Sequence, residues 1–455
     1  MRIKLFSPFW MPVWFFAGAI LVGASLLVLD PAHGSEGFSW LDAVFTATSA
    51  MCVTGLVVVD TGSSFSMFGQ LVILVLIQLG GLGIMTFTSL AMYLMGHHVS
   101  LSDRISVQQS LLHDPRFSLR RFLRRVVLMT FAIESAGALL LWIADPVGFT
   151  PYSAIFHSIS AFCNAGFSLY SDSLSAWHAD WNVNLIVMAL IILGGLGFYV
   201  INECSGFFMY WMRTASRKDS LPRPRLSWHS KVVLGTSLFL IAGGAAAIFL
   251  AEFFGAEGFG PWSHELLAAL FQSVSCRTAG FNTVDIAHMT NVSLVFMLFL
   301  MLVGGSPGSC AGGIKTTTLR AIWGFIQAQF AGREQTVISR KALTPGSLNK
   351  AFTLLVFAGF IVMAGVIILN ISEGGDVPHI QARGGFLETM FEVISAYGTV
   401  GLSTGVTEGL TVLGKVVVIL LMFIGRLGPM WLLSALQSWQ VEQRFRFPED
   451  DLPLG

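Results

Sequence analysis

The chain has 455 residues, of which 54% are hydrophobic and 11% charged, and 26 Lys/Arg balance 26 Asp/Glu for a net charge of zero. An average soluble domain carries roughly 25% charged residues, and a soluble fold of this length needs them to cover its surface. The composition excludes a soluble enzyme, a disordered chain and a nucleic-acid binder, and it leaves an excess of glycine, 47 residues, to be explained.

A helix needs ~20 apolar residues to cross a bilayer. The first such run is 8–29; Arg2 and Lys4 precede it as in a signal peptide, but it is too long and no small-residue cleavage site follows. A loop with Asp30, Glu36, Asp42 and Asp60 comes next and holds a short apolar stretch, Phe45–Gly55 (FTATSAMCVTG). Run 66–95 carries Gly80-Gly81-Leu82-Gly83 and leads into the basic segment 97–125, with Arg104, Arg116, Arg120, Arg121, Arg124 and Arg125. Run 125–144 is followed by Asp145, Asp172 and Asp180 around a second short stretch, Phe156–Gly166 (FHSISAFCNAG). Run 183–211 carries Gly194-Gly195-Leu196-Gly197 and meets the basic segment 213–231. Run 231–252 then gives way to Glu252, Glu257, Glu265 and Asp285 around Phe271–Gly280 (FQSVSCRTAG), and to run 292–325. The basic segment 332–350, run 351–371, an acidic loop with Glu373, Asp376, Glu388, Glu392 and Glu408 around Phe391–Gly401 (FEVISAYGTVG), and run 412–438 complete the chain.

Basic and acidic loops alternate. The positive-inside rule places the three basic loops and both termini, with Arg2, Lys4, Arg444 and Arg446, in the cytoplasm. The acidic loops then face outward, where they raise the local concentration of cations.

The short stretches repeat. Their Phe-to-Gly separations are 10, 10, 9 and 10, and a second glycine element begins 25, 28, 24 and 24 residues after each loop glycine. Self-similarity at a fixed period reads as four copies of one unit: span, re-entrant half-helix, glycine turn, span. The copies are 1–96, 97–212, 213–331 and 332–455. The predicted fold is an all-α polytopic membrane protein with eight transmembrane helices and four re-entrant pore helices around one central pore. Non-helical backbone at membrane depth is tolerated only where it is buried or lines a water-filled cavity. Four half-helices would aim their partly negative C-terminal ends at a common axis, which favours a cation there. The strands beyond would offer carbonyls in place of a hydration shell, and a glycine in each permits the φ > 0 that turns a carbonyl inward.

The segments Thr46–Gly62, Phe156–Leu169, Phe271–Thr283 and Gly304–Thr318 resemble the Trk/Ktr/HKT superfamily of potassium transporters over essentially the whole chain. The chain begins at the first repeat, without an extra N-terminal hairpin, and so resembles the Ktr-type membrane subunit. The resemblance implies potassium uptake across a bacterial inner membrane by a homodimer with one pore per subunit. It also implies control by a cytosolic ring of nucleotide-binding, RCK-type regulatory subunits, with no nucleotide bound by this chain itself. Carried over by position, the filter is Val53-Thr54-Gly55, Asn164-Ala165-Gly166, Thr278-Ala279-Gly280 and Thr399-Val400-Gly401. Serine at the first filter glycine goes with sodium preference in the family; Gly55 and its three counterparts favour potassium, with sodium as an accompanying ion. Arg277 beside the third strand is expected to point away from the cation path, toward Asp285.

Segment Gly304–Gly313 holds five glycines and one proline in ten residues, with Lys315 close behind. Helix there is disfavoured by about 1 kcal/mol per Gly and 3 for Pro. Arg426 replaces the second glycine of the other copies at the same depth, and an intramembrane charge is a functional hypothesis by default. The resemblance gives the segment the role of an intramembrane gate, built from Gly304, Gly305, Gly308, Gly312, Gly313 and Lys315 and latched by Arg426; the plainer reading pairs Arg426 with Glu134 or Glu203.

Other signals are weaker. Gly308–Thr316 misses the phosphate-binding loop pattern by one residue and lies within a span rather than after a strand, so it does not bind nucleotide. Cys52, Cys163, Cys204, Cys276 and Cys310 are scattered without metal or disulfide spacing. His157 reads as a packing residue, and the basic loops as contacts for anionic lipid or a partner protein. A sodium- or proton-coupled carrier with alternating access is the competing transport reading. An intramembrane enzyme lacks a Ser/His, paired-Asp or metal-ligand constellation at one depth.

Overall fold

The computed structural model describes residues 11–29, 38–83, 119–216, 225–255, 261–374, 377–378 and 384–428. The first basic segment up to residue 118, the far end of run 66–95, the tail beyond 428, and Asp30, Glu36, Glu257 and Asp376 lie outside the described residues.

In chain order the helices are α1 (Met11–Val28), α2 (Trp40–Cys52), α3 (Met67–Gly81), α4 (Leu119–Ala144), α5 (Pro151–Cys163), α6 (Trp181–Leu196) and α7 (Phe198–Ser216). They continue with α8 (Trp228–Phe253), α9 (Trp262–Ser275), α10 (Asn291–Leu302), α11 (Thr316–Phe330), α12 (Pro345–Ser372), α13 (Gly385–Gly398) and α14 (Val412–Leu427). The four short stretches are α2, α5, α9 and α13. One departure from an all-α fold is a small hairpin, β1 (Val337–Ile338) with β2 (Lys341–Ala342), in the third basic loop. Arg333, Arg340, Lys341 and Lys350 are exposed around it.

Helix starts follow side-chain capping chemistry. Ser39 and Asp42 form a reciprocal capping box on α2, Thr150 with Pro151 opens α5, and Thr411 opens α14. Among the described residues three helices are each long and apolar enough to cross a membrane: α4 from Arg124, α8 and α12. The run 183–211 differs from its expected continuous span: α6 and α7 meet at 112°. Gly197, with φ 89, ends α6 there. Gly83 (φ 80) and Gly428 (φ 85) stand at the same place in the first and fourth copies. Hydropathy carries on through such a glycine, so it cannot reveal the break; the positive φ does.

The copies close into a ring. Within three copies the short helix packs between its own long neighbours: α2 with α1 and α3, α5 with α4 and α6, α13 with α12 and α14. In the third, α9 rests on α8. Between copies the second long helix of one packs on the short helix of the next: α3 on α5, α6 on α9, α10 on α13, and α14 back on α2. Within a copy, the second glycine element lets the second long helix approach the end of its own short helix. A Cβ on Gly80, Gly194 or Gly425 would collide with the carbonyl oxygen of Met51, Phe162 or Tyr397, each the fourth residue before its loop glycine. The aromatic anchors Phe45, Phe156, Phe271 and Phe391 are fully buried.

Candidate functional site

Three of the short helices stop before the axis at a residue that turns left-handed. Val53 (φ 56), Asn164 (φ 60) and Thr399 (φ 52) are the helix caps, and Thr278 (φ 69) takes the same conformation in the third copy. For residues with a Cβ this conformation costs about 1–2 kcal/mol, the kind of strain found at functional sites. Two positions later Gly55, Gly166, Gly280 and Gly401 again have positive φ, from 71 to 96. The residue between is not in that region. Such alternation of handedness turns successive peptide groups the same way.

The four strands touch around one axis. A Cβ on Gly55 would lie 2.5 Å from the carbonyl oxygen of Ala165, one on Gly166 2.9 Å from that of Ala279, and one on Gly280 2.5 Å from that of Val400. A Cβ on Gly401 would collide with the Thr54 carbonyl, which closes the circle. Structure therefore brings all twelve predicted strand residues together.

A serine in each short helix holds the strand from behind, and the sequence reading passed over it. Ser49 and Ser395 each accept from the N–H of their glycine, Gly55 and Gly401, at 3.1 Å. Ser160 donates to the Phe167 carbonyl at 2.7 Å, and Ser275 donates to that of Phe281. Aligning the four copies would have shown a serine four residues after every Phe.

The predicted gate segment runs as an irregular loop, 303–315, between α10 and α11. It lies directly against the strands: a Cβ on Gly312 would collide with Thr399 Oγ1, and one on Gly304 would sit 3.1 Å from Thr278 Cγ2. Its backbone is stitched to the broken end of α6, with Ser306 N donating to Gly195 O at 3.0 Å and Phe198 N donating to Gly308 O at 3.1 Å. Ser306 and Thr316 hydroxyls pair at 3.0 Å. Lys315 Nζ donates back to Ala311 O at 2.6 Å. Arg426, 8% exposed, donates to the Cys310 carbonyl in the loop and to the Gly80 carbonyl at the end of α3. It pairs with neither Glu134, which receives Gln78 at 3.3 Å, nor Glu203, which receives Tyr199 at 2.7 Å.

Two expectations are corrected. Arg277 does point away from the axis, but its Nη2 donates to Ser237 on α8 at 3.1 Å, while Asp285 pairs with His288 at 2.9 Å. Several outer carboxylates also do not face an open vestibule. Asp42 is 7% exposed and bonds Lys415 at 2.6 Å; Glu252 is 3% exposed and accepts from Thr290, the N-cap of α10; Glu392 is fully buried. A carboxylate that caps a helix and one that attracts ions look the same in a sequence. Asp172, Asp285, Glu388 and Glu408 are exposed.

Comparison with known proteins gives one answer. The family model described as TrkH, cation transport protein, matches residues 20–439. Ktr system potassium uptake protein B of Bacillus subtilis (strain 168) is 37% identical, covering 100% of this chain and 98% of that protein. The potassium/sodium uptake protein NtpJ of Enterococcus hirae is 33% identical, covering 99% of this chain and 98% of that protein. The crystal structure of the potassium transporter TrkH from Vibrio parahaemolyticus shares the fold, with a TM-score of 0.71 at 20% identity over 95% of this chain and 85% of that one.

Proposed function

Because the chain belongs to the TrkH family of cation transport proteins, we propose that it takes up potassium ions along the axis of its four-copy ring. The observation that carries this reading is the closed circle of alternating-handed strands, each leaning on the next through a glycine. Carbonyls presented this way replace the hydration shell of a monovalent cation, and four helix C-terminal ends add a favourable partial charge. The full-length likeness to relatives named for potassium uptake supports potassium as the ion, and the relative named for potassium and sodium uptake supports sodium as a second one. The strands Val53–Gly55, Asn164–Gly166, Thr278–Gly280 and Thr399–Gly401 are the selectivity filter in this reading.

Loop 303–315 is the gate, held beneath the filter by Arg426, which ties it to the end of α3. The protein works in a bacterial inner membrane as a homodimer with cytoplasmic termini, under the control of a cytosolic nucleotide-binding ring that docks on the basic loops. The lipid face is the exposed apolar surface of helices such as α8 and α12.

Potassium and sodium fluxes into proteoliposomes test both parts. Gly55→Ser adds a side chain against Ala165 O at φ 96. It should raise the sodium-to-potassium flux ratio by about tenfold, equivalent to ~1.4 kcal/mol; an unchanged ratio removes the filter assignment. Arg426→Ala frees the loop from α3 and should raise basal potassium flux by about tenfold on the same scale. Unaltered flux and regulation would remove the gate assignment.

A further inference from the structure

In every short helix the residue after the buried Phe is polar and itself buried: Thr46, His157, Gln272 and Glu392. The four do not behave alike. His157 Nδ1 lies 2.8 Å from Ser153 O, which places the ring proton there and leaves the Nε2 lone pair free to accept. Nε2 faces the outgoing strand, 3.0 Å from Ser168 Oγ and 3.3 Å from Leu169 N. Glu392 grips its own outgoing strand through two hydroxyls, Ser403 at 2.9 Å and Thr407 at 2.6 Å. Ser168 and Ser403 occupy the same place, two residues beyond the strand glycines Gly166 and Gly401. The first and third copies have Val57 and Asn282 there. Among the described residues Thr46 Oγ1 and both amide atoms of Gln272 have no hydrogen-bond partner.

The ring order puts copies two and four opposite each other. We propose that His157 and Glu392 are positioning residues that pin the outgoing strands on two opposite sides of the axis and thereby set how strictly the opening separates potassium from sodium. This rests on the reading of the axis as the potassium path. A filter discriminates between ions of similar radius only while its walls are kept from recoiling onto the smaller one. A strand tethered from behind resists that, much as outer partners orient metal ligands. Copies one and three keep the serine behind the strand, Ser49 and Ser275, but have no second clamp from the residue after the Phe.

The test measures potassium and sodium uptake in cells expressing the full chain. Ser403→Ala and Ser168→Ala remove the strand half of each clamp; Glu392→Leu and His157→Phe remove the helix half. Each should raise the sodium-to-potassium ratio by about tenfold, the effect of one lost buried hydrogen bond. Glu392→Gln, whose oxygen accepts from one hydroxyl while its amide donates to the other, should stay within about twofold of wild type, as should Gln272→Leu and Thr46→Val at the unpartnered positions. The serine variants leave the helix core intact and carry the test where a core variant fails to reach the membrane. A wild-type ratio in both serine variants, or an equal shift in Gln272→Leu, overturns the proposal. Gly55→Ser, measured alongside, separates the readings: a shift there with none in the serine variants overturns the clamps alone. No shift in any variant, Gly55→Ser included, overturns the filter assignment and the clamps with it.

Discussion

Gly194 and Gly195 are neighbours with opposite tolerance. A Cβ on Gly194 would run into the Phe162 carbonyl, whereas one on Gly195 would meet only the end of the Asn164 side-chain amide, at an ordinary 3.5 Å. Gly194→Ala should therefore cost about 1–3 kcal/mol by forced repacking. Gly195→Ala should be neutral or gain up to about 1 kcal/mol from helix propensity. Unfolding temperatures of the two purified variants decide the matter, and equal values would contradict the packing geometry. The sequence could show that both glycines sit in a repeated element, but not which of them faces a carbonyl. Arg277 teaches the same lesson. Its partner, Ser237, is 40 residues away on another helix, so the nearby Asp285 was the natural guess from sequence and the wrong one.

At the level of elements, much was legible. The Phe-to-Gly register located all four short helices, and the glycine and proline density of 304–313 located the irregular loop. The break between α6 and α7 was not legible, because hydropathy is blind to a single left-handed residue, Gly197. The serines behind the strands were legible in principle, since they recur at one position in four aligned copies. Ring closure was not, for it depends on contacts between the first and last copies. One of these is the 2.6 Å bond between Asp42 at the start of α2 and Lys415 at the start of α14, with both side chains under 20% exposed. Lys415→Met should lower stability by about 1–3 kcal/mol, as expected for a hydrogen bond to a charged group. Asp42→Asn on top of it should add much less than it does alone, since the two share one interaction. Thermal unfolding of the single and double variants measures this, and full additivity would show that the pair contributes nothing.

For the molecule as a whole, stability is distributed between neighbours around a circle rather than stored in one copy. Cleavage between copies three and four should therefore be survivable. Trypsin has exposed targets at Arg333 and Arg340 around the small hairpin. The two fragments are expected to co-elute in size-exclusion chromatography after a nick there, because α10 still packs on α13 and α14 on α2. Separation of the fragments would show that the circle depends on the covalent link. A single polypeptide also permits something that four identical subunits could not build. Loop 303–315 occupies the space beneath the strands and reaches the second copy at Gly195, the fourth at Arg426 and, through that arginine, the first at Gly80. Only one such insertion fits; four would compete for the same volume. Fusing the quarters into one gene lets three of them become docking walls while one supplies the inserted loop, so a substitution in the loop is present once, and its effect is neither multiplied nor averaged by symmetry.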